Sequence, residues 1–177
     1  MWFYVLCGGL GILFIIIFIF FIVKGNKLKV MNIKINEAEN DISNILSKKN
    51  DLLKKINEIM KSKDKEDLLK DIEKLETDKL NNIELNKELS KYDKIIVELT
   101  DYNKEIVFDN TEEETFDNLS KINIDRLAVE KYYNDNVVIF NKLINSFPSS
   151  IIAKFKKYDE KELFENEKEE IFEILKK

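Results

Sequence analysis

LKVMNIKINEAENDISNILSKKNDLLKKINEI, residues 28–59, is the stretch on which the fold turns. Its apolar residues fall three or four apart: Leu28, Met31, Ile35, Ala38, Ile42 and Ile45, then Leu52, Ile56 and Ile59. That period puts them on one face of an α-helix, and Lys49 alone interrupts the series. A helix of about 35 residues is long for a compact globule, so other long helices must cover its apolar stripe, in a bundle or a coiled coil.

Toward the amino end, residues 1–23 read MWFYVLCGGLGILFIIIFIFFIV and hold no Asp, Glu, Lys or Arg. An apolar helix of this length spans about 30 Å, the thickness of a bilayer's hydrocarbon core. No basic segment precedes the apolar run and no small-residue cleavage site follows it, so a retained anchor is expected and not a cleaved signal. The strongest helix breaker between this run and residues 28–59 is Gly25, which predicts one continuous helix. Lys24, Lys27 and Lys29 flank the C-terminal end of the run. The positive-inside rule then sets the short amino end outside and residues 24–177 in the cytoplasm of a single-pass cell-membrane protein.

Toward the carboxyl end, Lys61–Lys65 (KSKDK) marks a first turn. Leu68, Ile72, Leu75, Leu80, Ile83, Leu89, Tyr92, Ile96, Leu99, Tyr102 and Ile106 predict a second long helix, with a drift in period near Lys79 and Asp93. Thr111 and Glu114 have the spacing of a capping box for a third, in which Phe116, Leu119, Ile122, Val129, Tyr133, Val137, Phe140 and Ile144 face the core. Pro148 ends it. Ser149 or Ser150 then caps a short helix with Ile151, Ile152, Ala153 and Phe155, and Leu163, Phe164, Ile171 and Leu175 suggest a last amphipathic one. The expected fold is all-α: a transmembrane anchor, residues 1–23, followed by an antiparallel four-helix bundle of long helices, residues 24–177.

Composition removes whole classes of function. With 29 basic residues against 34 acidic ones, for a net charge of −5, no broad basic face exists to hold nucleic acid. The chain has no histidine, which removes histidine bases, the usual triads and most zinc sites. Its single cysteine, Cys7, lies inside the apolar run. Glutamate pairs recur, at Glu112–Glu114, Glu165 with Glu167, and Glu169–Glu170, but without any Glu-x-x-His they read as solvated helix faces and not as a di-metal site. No glycine-rich phosphate loop occurs beyond residue 24. No catalytic residue, cofactor or metal is expected.

Two segments resemble the LemA family of membrane-anchored bacterial proteins. In NKLKVMNIKINEAENDISNILSKKNDLLKKI, residues 26–56, Asn26, Leu28, Ala38, Ile42, Leu46 and Asp51–Leu52 sit where the family pattern has them. In DRLAVEKYYNDNVVIFNKLINSFPSSIIA, residues 125–153, Tyr133–Asn134, Asn141, Phe147–Pro148 and Ala153 match, and Phe164–Glu165 resembles the closing Phe-Glu. Lys49, Lys54 and Lys55 stand where the family has arginine, proline and asparagine, and Glu39 where it has tryptophan. The resemblance implies a helical bundle behind an N-terminal anchor, with its bulk cytoplasmic, and implies no enzyme reaction.

The residues singled out are Asp51, Arg126, Tyr133, Asn134, Asn141, Phe147 and Pro148. Asn134 and Asn141 are two helical turns apart, suited either to hydrogen bonding inside a bundle or to recognition of a partner. Asp51 is a candidate ion-pair partner for Arg126, the chain's only arginine. Phe147–Pro148 turns the chain back on its own body. The function expected is a membrane-anchored, non-enzymatic helical interaction or scaffold protein. Its partners would be the lipid bilayer, through residues 1–23, and a protein still to be identified. The alternative is a self-associating coiled-coil rod or spacer at the cell envelope, which would use the heptads of residues 28–59.

Overall fold

The computed structural model describes residues 2–63, 69–102 and 107–164, and every regular element among them is helical. The elements are α1 (Trp2–Ser62), α2 (Asn82–Tyr102), α3 (Asn110–Ile144) and α4 (Ser149–Lys156), with two 3-10 turns, Lys70–Lys74 and Thr77–Lys79, before α2. The chain forms two compact units. One comprises Met1–Glu37 and Tyr132–Leu163, the other Ala38–Lys131 and Phe164–Lys177.

As expected, α1 is continuous from the apolar run into the amphipathic stretch, and Gly25 does not break it. From Gly8 to Phe20 every residue of α1 is exposed, whereas Leu28 and Ile35, farther along the same helix, are fully buried. An exposed, uncharged run of this kind makes α1 long and apolar enough to cross the hydrocarbon of a bilayer. Within this first unit, Phe140 of α3 is buried and meets the ring of Tyr158 edge-on at 5.6 Å. Ala153 is the buried residue of α4 beside Ser149.

In the second unit the α1 seam continues through Ala38, Ile42, Leu46, Leu53, Ile56 and Met60, all buried. Leu85, Leu89 and Ile96 of α2 and Leu119 of α3 complete the core, together with Leu69 and Ile72. α3 runs antiparallel to α1: Lys63 meets Glu112, while residues later in α3 share a cleft with Lys48 and Asp51. α2, by contrast, runs parallel to α1. Asn82 donates to the Glu39 carbonyl at 2.9 Å, and Asp93, 11 residues on, meets Lys49, 10 residues on.

That register explains why the second helix is shorter than its apolar spacing suggests. Between Glu39 and Lys63 α1 rises about 36 Å, but residues 63–81 wound as an α-helix would return only about 27 Å. The 3-10 turns Lys70–Lys74 and Thr77–Lys79, with extended backbone at Leu75 and Leu80, have a longer rise per residue and gain length on that return. Among the described residues the expected helix is therefore not α-helical from Leu69 to Leu80, and α2 starts at Asn82, just beyond the drift noted near Lys79; Leu68 and Ile106 lie outside the described residues. Asn81 caps it: its side-chain oxygen accepts the amides of Ile83 and Glu84, while the Glu84 carboxylate accepts the Asn81 amide.

A second correction concerns α3. The reciprocal cap is Asp109 with Glu112, not Thr111 with Glu114: Asp109 Oδ1 accepts the amides of Thr111 and Glu112, each at 2.8 Å, and Glu112 accepts the Asp109 amide. A carboxylate at this end also complements the helix dipole, which a threonine cannot do. α3 ends at Ile144, short of Pro148, and α4 follows where expected, but its N-cap is Pro148 with no side-chain cap from Ser149 or Ser150. Leu163 and Phe164 are non-helical, and the remainder of the last expected helix, with Ile171 and Leu175, lies outside the described residues.

Candidate functional site

Three features of the described residues carry polar chemistry inside the fold or at its surface. The first is a buried charge network in the second unit. Lys49 has no exposed surface, and its Nζ donates to Asp93 Oδ2 at 2.5 Å. One helical turn apart on α3, Arg126 and Glu130 are also buried. Arg126 NH1 donates to Glu130 Oε1 and to Asn86 Oδ1, both at 2.8 Å. Three helices thus contribute two cations, two carboxylates and an amide.

Burial pushes the Lys49 ammonium below its ordinary range. Asp93 opposes that shift, Arg126 adds to it, and Glu130 opposes it. Such a network fixes helix register more than it adds stability, because each charge has lost its water and depends on its partner. Among the described residues no group of three His, Cys, Asp or Glu side chains is placed to hold a metal ion.

Arg126 pairs with Glu130 and not with the candidate Asp51. Arg126 points into the network, while Asp51 is exposed on α1, two positions from the buried seam residue Lys49. Asp51 instead lines an open cleft of about 430 Å³ with Lys48, Leu52, Lys55, Asn118, Lys121, Ile122 and Asp125. Glu130 is the partner because an acid four residues along the same helix is already in reach of Arg126. The sequence did signal the network: Lys49 lies seven residues from both Ile42 and Ile56, in the core seam.

The second feature is a strap, residues 158–163, held along α3 in the first unit. Asn141 clamps it from both sides: its Nδ2 donates to the Lys161 carbonyl at 2.8 Å, and its Oδ1 accepts the Lys161 amide at 3.0 Å. The Tyr133 hydroxyl donates to the Glu162 carbonyl at 3.1 Å, and Asn145 donates to Glu160. Tyr133 is buried, while Asn134 and Asn141 are half-buried. Two of the singled-out residues, Tyr133 and Asn141, thus hold one segment of the chain's own backbone. Asn145, which joins them, was missed; its spacing of four from Asn141 places it on the same face.

The third feature is the corner at Phe147–Pro148. Phe147 is 77% exposed, yet its ring meets that of Phe21 on α1 edge-on, with centroids 6.4 Å apart. Pro148 is buried, and the two residues line a cleft of about 440 Å³ with Ile17, Phe20, Phe21 and Lys24.

A family model described as the LemA family matches residues 38–174, well over half of the 177 residues. No curated protein and no solved structure matches the chain.

Proposed function

This chain belongs to the LemA family, and from that premise we propose that it is a single-pass, membrane-tethered helical body that acts by binding another protein, with no catalytic step. The observation that carries this reading is α1 itself. One helix passes without interruption from an exposed uncharged run to the fully buried seam residues Leu28 and Ile35, so the apolar run and the first unit share one element. Lys24, Lys27 and Lys29 after the run favour a cytoplasmic body and an external amino end.

Tyr133 and Asn141 serve as internal clamps in this reading, since their side-chain groups are engaged by the strap. Partner recognition falls to exposed groups, and the mixed-charge cleft around Asp51, Lys55 and Lys121 is the best-placed of these. The self-associating rod is less well supported, because the heptad residues it needs, Leu28, Ile35, Ile42 and Ile56, are buried against the chain's own helices.

Crosslinking in intact membranes, followed by affinity capture of the full chain and mass spectrometry, tests the proposal. A defined foreign protein should be captured, and Asp51→Lys should lose it while leaving the melting temperature within about 1 °C, as a surface change does. Capture of the chain's own copies alone would favour the rod. Turnover of a small molecule by the purified protein would overturn the non-enzymatic reading.

A further inference from the structure

Phe147, Ile151 and Phe155 are spaced four residues apart, and all three are exposed, Phe155 to 85%. A cluster of large apolar side chains facing outward needs a covering partner. Lys154, Lys156 and Lys157 stand among and beyond them. The height of this cluster is fixed by two contacts in the first unit. Phe147 meets Phe21 ring to ring, and a methyl of Ile152 stands 3.4 Å from the point a Cβ on Gly25 would occupy. Phe21 lies in the last turn of the uncharged run, and Gly25 follows the first lysine after it. α4 is therefore level with the end of the span, where hydrocarbon gives way to headgroups.

We propose that α4 and the Phe147–Pro148 corner form a second membrane contact, seated in the interface beside the span and recognising anionic phospholipid. This rests on the anchoring of residues 1–23. The apolar faces of Phe147, Ile151 and Phe155 enter the acyl region, as in interfacial amphipathic helices, while Lys154 and Lys156 reach up to phosphate. The cleft between the corner and α1 has the same polarity. Ile17, Phe20, Phe21, Phe147 and Pro148 make an apolar wall suited to an acyl chain, and Lys24 supplies an ammonium at headgroup height. The lysines of α1 and α4 together give that layer a positive charge that complements an anionic leaflet. Acidic residues follow at Asp159, Glu160 and Glu162; the Glu160 carboxylate is taken up by Asn145, and the strap carries Glu162 back along α3 to Tyr133, away from the corner.

The test uses the full chain in lipid nanodiscs, with Trp2→Phe removing the one native tryptophan. A reporter is placed by Phe155→Trp in one protein and by Phe14→Trp, inside the span, in another; both positions are exposed, so neither change disturbs packing. In discs mixing phosphatidylcholine and phosphatidylglycerol, brominated acyl chains should quench both reporters, and acrylamide should quench neither strongly. Lys154→Gln with Lys156→Gln should return the reporter at position 155 to acrylamide. Quenching of the position-14 reporter by lipid while that at 155 answers only to acrylamide would overturn the inference and leave the anchor standing. Failure of lipid to quench either would overturn both. Equal quenching at 155 in phosphatidylcholine alone would overturn the assignment of an anionic partner.

Discussion

Lys49 shows how a single residue sets a helix register. It occupies a seam position seven residues from Ile42 and Ile56, where a leucine or isoleucine would add more stability, and is answered by Asp93 from α2. Asp93→Ala leaves that ammonium buried without its partner and should cost on the order of 3–5 kcal/mol in denaturant unfolding, whereas Lys49→Met with Asp93→Leu should recover most of the loss. The pH dependence follows from the lowered Lys49 pKa, which burial causes. Folded chain holds this proton more weakly than unfolded chain, so below the folded pKa the burial cost is fully present. Stability then rises with pH through the window between the folded pKa and the ordinary lysine value of 10.5. Melting temperature of the native chain should accordingly climb relative to that of Lys49→Met as pH is raised toward 10.5; a constant difference would contradict it. Asn141 works differently, as a two-ended clamp on Lys161, and Asn141→Ala should cost about 1–3 kcal/mol by abandoning both backbone groups. The sequence made Asn141 visible as a helix-face amide, but the segment it holds was not legible, because residues 158–163 carry no periodicity that ties them to α3.

At the scale of elements, what the chain discloses depends on whether a boundary is set locally or by distance. α1 was readable throughout, since its apolar period and the absence of a breaker are local facts. α2 was not, because apolar residues at Leu68, Ile72, Leu75 and Leu80 satisfy a helical period whether or not the chain has length enough to return along α1. The deciding signal, Asn81 with Glu84, was present and local, and outweighs the periodicity before it. Asn81→Ala should weaken the start of α2 by about 1 kcal/mol, and amide exchange at Ile83 and Glu84 should quicken while exchange in mid-α3 holds. Equal acceleration across the whole unit would mean that the cap serves global folding and not this one end.

For the whole molecule, α1 carries the apolar run into the first compact unit as one continuous helix. The long apolar N-terminal helix and the all-helical body were both legible, one from the charge-free run and the other from three-four spacing. The parallel course of α2 and the identity of Arg126's partner were not, because each depends on contacts between distant segments. The central claim, that residues 1–23 are retained and span the membrane, is tested most directly by alkaline carbonate extraction of cell membranes with intact-mass analysis of the recovered protein. The full-length chain should remain in the membrane pellet; a chain released into the supernatant, or one shortened by the apolar run, would contradict it.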